Sequence, residues 1–250
     1  MLITGHQPNY LPYIGFFHKI SLADTFVIVD VVQYVKRGPF GWINRNRIRT
    51  SNNWIWLTVP VKTKNKFYQS IIETEIDNTT PWSRKHLKSI ERNYHQTPYF
   101  HKYADFFYQI YQKKWDLLTQ LNEAIIFYII EALGIKVKIS RASQLELNYC
   151  SKQNDSILSN NSATDLIIEI CQKLNSNSYL HGKHGHDYLD KNKIEQYNIK
   201  SYYQDFRHPL YKQTYEPFIP ELSVIDLLFN YGDRSLEIIK DSGKYFEKTQ

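Results

Sequence analysis

The sequence predicts an α/β fold: a mainly parallel sheet flanked by helices, with a three-helix subdomain inserted in it. Three observations lead there. Strand-length apolar runs alternate with amphipathic helical stretches along most of the chain, as they do in βαβ units. The run Phe26-Val27-Ile28-Val29 is apolar without alternation, as in a strand covered on both faces. A block of three helical patterns, at about 81–133, interrupts the alternation. Strands joined through helices pair in parallel by right-handed crossovers, so the sheet is expected to be Rossmann-like. With no repeat or linker visible, residues 1–250 are read as one domain.

Each element has its own signal. Leu2-Ile3-Thr4 reads as the first strand, and the prolines Pro8 and Pro12 keep the next segment out of a helix. Ile14, Phe17 and Ile20 mark a helix to about Leu22, which Asp24-Thr25 ends. Extended chain is expected from Trp42-Ile43, and a clear strand at Trp54–Val61. Thr80 with Pro81 looks like an N-cap and first helical residue, followed by Trp82, His86, Ile90 and Tyr94 at four-residue spacing. Helices at about Tyr99–Tyr111 and Trp115–Leu133 follow, the last stopped by Gly134. Strands are then expected at Ile135–Ile139, Ser178–His181 and Asn198–Phe206. Residues 151–162 read as a loop. Ser162 with Asp165, and Ser223 with Asp226, match capping boxes that open two further helices.

Composition narrows the function classes. The 250 residues carry 31 Lys+Arg and 25 Asp+Glu, a net charge of +6 that is mild for a dedicated nucleic-acid binder. Nine glycines are few, and neither G-x-G-x-x-G nor a P-loop motif occurs. The two cysteines, Cys150 and Cys171, form no C-x-x-C, which argues against a thiolate zinc site. His181, His184 and His186 match no standard metal spacing, and no cofactor can be named. The N-terminus lacks a basic-then-apolar leader, and the apolar run 124–130 is too short to span a membrane. The chain is therefore expected to be soluble and cytoplasmic.

Candidate site residues lie where strands end, because ligands of parallel α/β sheets bind outside the carboxyl ends of strands. His6, Gln7, Asn9 and Tyr10 fill the first strand-to-helix turn, beside a helix N-terminus that favours an anion. Asp30 ends the neighbouring strand, with Gln33, Lys36 and Arg37 after it. In Asn44-Arg45-Asn46-Arg47-Ile48-Arg49, strand alternation puts Arg45, Arg47 and Arg49 on one face, as a phosphate or pyrophosphate would require, and Asn44 and Asn46 on the other. Tyr179 and Gly182 belong to a second strand-end loop, and Asp226 to the last expected helix.

The chain resembles the WbqC-like proteins over nearly its whole length. The likeness rests on His6-Gln7-Pro8-x-Tyr10-x-Pro12-Tyr13-x-Gly15-Phe16-Phe17, on Ala23-Asp24-x-Phe26-Val27-Ile28-x-Asp30-x-x-Gln33-Tyr34, and on Asn44–Ile48. Pro98-Tyr99-Phe100, Tyr179-Leu180-x-Gly182 and Phe218-x-Pro220-x-Leu222-Ser223-x-Ile225-Asp226 continue it. The family often has paired glycines where this chain has His184-Gly185. The resemblance implies a setting in O-antigen and other surface polysaccharide synthesis. It implies a transferase that modifies a nucleotide-linked amino sugar, by acyl or aminoacyl transfer to the sugar amine from an activated donor. In such a transfer His6, which titrates near neutrality when unperturbed, is expected to take the amine proton, Asp30 to fix its tautomer or hold the amine, and Gln7, Asn9 and Tyr10 to donate hydrogen bonds to a developing oxyanion. A looser likeness of the opening turn to H-x-G-H nucleotidylyltransferases and pantothenate synthetase implies an ATP-dependent alternative, although Pro12-Tyr13-Ile14-Gly15 lacks the second histidine. A non-catalytic nucleotide- or RNA-binding module is the other alternative.

Overall fold

The structure, a computed structural model, describes residues 1–35, 41–66, 68–147, 160–183, 185–187 and 189–247. In chain order its elements are β1 (Ile3–His6), α1 (Ile14–Ser21), β2 (Thr25–Ile28), β3 (Arg45–Arg49), β4 (Trp54–Thr58), α2 (Trp82–Tyr94), α3 (Phe100–Gln112), α4 (Leu118–Leu133), β5 (Lys138–Arg141), α5 (Asn160–Lys173), β6 (Ser178–His181), α6 (Lys191–Gln196), β7 (Lys200–Phe206), α7 (Ile225–Tyr231), α8 (Ser235–Lys240) and β8 (Gly243–Glu247). The main sheet runs β5-β2-β1-β6-β7-β8, parallel throughout except for the antiparallel edge pair β7–β8. Counted by chain order within this sheet, the strands stand 3-2-1-4-5-6. The winding reverses between β1 and β6, the switch point at which doubly wound sheets take their ligands.

The expected α/β class with its three inserted helices is what the chain adopts. The insertion also carries β3 and β4, an antiparallel ribbon in register Arg45↔Thr58 to Arg49↔Trp54. Its buried apolar residues, such as Ile90, Phe107 and Ile125, join those of the sheet in one core. Among the described residues no helix is long and apolar enough to cross a membrane.

Several boundaries move for local reasons. Gly134 caps α4 in a left-handed conformation (φ 71°), and the Ile135 N–H bonds back to Ile130 O, so β5 begins three residues later than expected. Trp115 lies before α4, its indole N–H donating to Ile110 O, because Asp116 and Leu117 are extended against Glu75 and Ile76. Pro81, not Thr80, is the N-cap of α2. Residues 160–162, read as loop, are the first turn of α5. The Ser223–Asp226 box does not form. Ser223 N–H donates to Arg47 O instead, and the Asp226 carboxylate turns inward to Tyr211 and Gln213. The edge strand β8 and the short helices α6 and α8 carry no strong periodic signal.

The segment between β1 and α1 is buried although irregular, with Tyr10 and Leu11 fully enclosed. Leu11 sits at φ 44°, in the left-handed region that costs a branched residue free energy. Its carbonyls find donors elsewhere in the chain. Asn122 Nδ2 on α4 donates to both Pro8 O (2.7 Å) and Ile43 O (2.8 Å), Asn46 Nδ2 to Leu11 O, and Val224 N to Pro12 O. An Asn122→Leu variant leaves the buried Pro8 carbonyl without this donor, while Ile43 O keeps the Tyr10 N–H. Its unfolding free energy should fall by about 1–3 kcal/mol, read as a lower urea midpoint at unchanged m-value. An unmoved midpoint would mean that the loop does not depend on this amide.

Candidate functional site

Two strand-end histidines and a lysine lie at the switch point, the lysine close enough for its charge to act on both rings. His6 is the last residue of β1 and His181 the last of β6, so parallel pairing sets the two strand ends side by side. Lys19 comes from α1, a helix whose residues 14–20 are all buried, so the lysine is enclosed as well (5% exposed). Its Nζ donates to Gly5 O at 2.9 Å, and among the described residues no carboxylate pairs with it. Glycine at two positions keeps the spot open and close-packed. A Cβ on Gly182 would stand 4.0 Å from the ammonium, and a Cβ on Gly5 would lie 2.6 Å from the Tyr179 hydroxyl.

Burial sets the protonation of this cluster. It pushes the Lys19 ammonium down to about 7. It also holds both imidazoles near 3, with the Lys19 charge adding to the effect. The histidines are therefore neutral at neutral pH. The His6 Nδ1 lies 2.9 Å from Gln7 O, which can only accept, so Nδ1 carries the proton and Nε2 offers its lone pair. His6 also sets its ring edge-to-face on Phe16, and His181 places Nε2 at 3.1 Å from Ser201 Oγ and stacks on Tyr203.

The other expected residues scatter around this centre. Asp30 is buried next to β1, but its carboxylate accepts from Ser143 N (3.0 Å) and Ser143 Oγ (2.6 Å). The tautomer of His6 is thus fixed by the Gln7 carbonyl and not by Asp30. Glu123 on α4 stands nearby, paired with Arg141 at 2.8 Å, and burial raises its pKa. Asn9 is 8% exposed and its Oδ1 is buried without a partner. Tyr10 points away from the strand ends, its hydroxyl 2.8 Å from His86 Nδ1 and in contact with Tyr111. An oxyanion at the strand ends is therefore out of its reach. Gln33 bridges to Ser70, and Asn44 Nδ2 donates to Val59 O. Lys36, Arg37 and His184 lie outside the described residues.

The arginines of β3 keep their alternation, but only two of them reach the surface. Arg45 lies over the Trp56 ring at 4.5 Å, and Arg47 stands among Trp42, Trp54 and Trp56 while pairing with Glu221 at 3.1 Å. Arg49 is fully buried, its guanidinium spent on Thr50 O, Asn53 O and Pro217 O. A shared three-arginine grip on one pyrophosphate does not assemble. Asp226 is likewise interior, accepting from Tyr211 Oη (2.8 Å) and Gln213 Nε2 (3.1 Å), with burial raising its pKa to about 6. Lys19 is the residue that sequence reasoning missed. Its signal was an α1 with no polar face, which leaves a lysine nowhere to go but inward.

The profile of the WbqC-like protein family matches residues 7–238. The chain belongs to that family. It is also 33% identical over 236 residues to the uncharacterized protein Rv1507c of Mycobacterium tuberculosis (strain ATCC 25618 / H37Rv), covering 94% of this chain and 95% of that protein. In this WbqC-like chain the family match begins at the loop after His6 and runs through Lys19, His181 and Gly182.

A buried cation beside the switch point makes folding pH-dependent. The folded pKa of Lys19 lies below its unfolded value, so burying it costs stability, in full below about pH 7 and progressively less as pH rises toward the unfolded value. Against the wild type, Lys19→Met should therefore be the more stable variant at about pH 6–7, with the gap closing toward about pH 10. Urea midpoints of the two proteins across that range measure it. A constant gap would show that Lys19 is not buried as a cation.

Proposed function

We propose that this WbqC-like protein is a transferase that binds a nucleotide-linked amino sugar and moves an acyl or aminoacyl group onto the sugar amine, in the synthesis of a surface polysaccharide. The observation that carries the reading is the enclosed, unpaired Lys19 ammonium beside two neutral imidazoles at the switch point, open over Gly182. A buried cation without a counter-charge calls for an anion, and the phosphates of a nucleotide-linked sugar supply one where doubly wound sheets take such groups.

In the reaction, the amine lone pair attacks the carbonyl carbon of the activated donor. The new C–N bond forms as the bond to the donor's leaving group breaks, and the nitrogen sheds a proton. His6 stands ready for that proton. It presents an unprotonated Nε2, held at about 3 in the free protein by burial and then by the Lys19 charge, and an anion joining Lys19 offsets the second of these. Lys19, recharged by the phosphates, holds the substrate and leaves the proton to His6. Asp30, tied to Ser143, shapes the mouth from the neighbouring strand.

Calorimetry with nucleoside diphosphates, nucleotide sugars and short RNA tests the reading. A nucleotide sugar should bind and, at about pH 8, draw up close to one proton as Lys19 recharges, seen as a buffer-dependent enthalpy. Lys19→Met should weaken binding at least about tenfold and abolish the uptake. Binding of RNA with a steep salt dependence, and of no nucleotide sugar, would replace this reading with a nucleic-acid one.

A further inference from the structure

Four chain segments meet beyond the ends of β1 and β2: the loop after His6, the stretch after Asp30, residues 69–74 and the first turns of α4. Hydrogen bonds tie them together. Tyr34 N donates to Gln69 O, Ile71 N to Val32 O, Thr119 Oγ1 to Ile71 O, and Asn122 Nδ2 to Pro8 O. On these segments four buried polar atoms have no partner among the described residues: Asn9 Oδ1, Tyr34 Oη, Gln69 Oε1 and Asn122 Oδ1.

Three of the four are amide oxygens. Asn122 cannot be turned round, because its Nδ2 faces two carbonyls and an oxygen in its place would face two acceptors. Gln69 is fixed the same way by Nε2 donating to Lys62 O. Their free ends are therefore acceptors. The unpartnered buried atoms elsewhere among the described residues include nitrogens, Arg47 Nε, Arg49 Nε and His18 Nε2, and oxygens such as Tyr103 Oη and Asp226 Oδ1, on other segments. An unpaired buried acceptor opposes folding, so a cluster of them at the mouth of the sheet is unexplained by folding alone. The carboxylates of Asp30 and Glu123 border the same region, close enough for the charge of one to act on the other.

We infer that this cluster is a subsite for an N–H donor, the amino group of the acceptor sugar, with Asn9 and Asn122 as its hydrogen-bond acceptors. The inference rests on the reading of the Lys19 end as the phosphate site, and it orients the substrate. The phosphates lie over β1 and β6, and the amine lies over β1 and β2. Asn9 then accepts a hydrogen bond from the amine, whereas the sequence had cast it as a donor to an oxyanion.

The test is calorimetry with matched pairs of nucleotide sugars, amino against hydroxyl at one carbon, linked to uridine, thymidine and guanosine diphosphate. Uridine and cytidine diphosphate without sugar complete the set. In the pair that binds best, the amino member should bind at least about tenfold tighter, and Asn9→Leu should bring the ratio to within about twofold. Affinity for the bare diphosphate should not change. Asn9→Asp, which keeps the acceptor, should keep the preference, and it serves if the leucine variant fails to fold. Diphosphate binding without preference for any amine overturns the subsite and leaves the Lys19 reading standing. No nucleotide binding at all overturns both. A preference for cytidine over uridine diphosphate would place a nucleobase amine there and overturn the assignment to the sugar. So would a crystal structure in which ordered waters on Asn9 and Asn122 persist with the amino sugar bound.

Discussion

A buried loop that cannot satisfy its own backbone governs this molecule. Between β1 and α1 the chain carries two prolines and a left-handed Leu11, so it makes no helix or ladder, yet it is enclosed. Buried carbonyls need donors, and here they come from α4, β3 and the segment before α7. This requirement explains why the long crossover between β2 and β5 folds back across the strand ends. It also explains why Ser223 and Tyr13 meet in an isolated bridge, bringing the C-terminal third against the N-terminal turn. The three inserted helices therefore hold the candidate site together as well as covering the sheet.

The same enclosure sets the electrostatics. With the loop packed shut, α1 has no solvent face, and Lys19 is held at the switch point by a single backbone acceptor. Neutral imidazoles are the neighbours such a cation tolerates, since a second charge beside it would raise the cost of burial further. At the three arginines of β3, the protein has already met the guanidinium groups internally, with indole faces, Glu221 or main-chain carbonyls.

Much of this was legible in the sequence, for reasons that can be traced residue by residue. The apolar run ending at Val29, the periodicity from Trp82 to Tyr94 and the stop at Gly134 are local signals, and local signals survived. Alternation along β3 set Asn44 and Asn46 on the face opposite the arginines, and both are buried. It could not show that Arg49, one step farther on, dives beneath Pro217, because that depends on a segment 168 residues away. Asp226 followed a capping-box spacing, but its carboxylate found Tyr211 and Gln213 first, and tertiary partners outweigh a cap. Lys19 and Asn122 share one recognisable mark. Each is a polar residue within a helical stretch otherwise apolar on that face, a pattern that by itself signals a buried role.

Position along the sheet then separates two chemistries. Over β1 and β6 the polar groups are a cation and two neutral rings, with glycine leaving room above them. Over β1 and β2 they are amide oxygens and two carboxylates, one held by Ser143 and the other by Arg141. His6 ends the strand common to both, its tautomer set by its own neighbour's carbonyl and its Nε2 lone pair left available. A molecule lying across this mouth is complementary to it in one direction only, with its negative end over β6 and its hydrogen-bond donors over β2. The strand that both ends share carries the group placed to accept a proton, which is the arrangement a proton-coupled transfer at the middle of such a molecule requires.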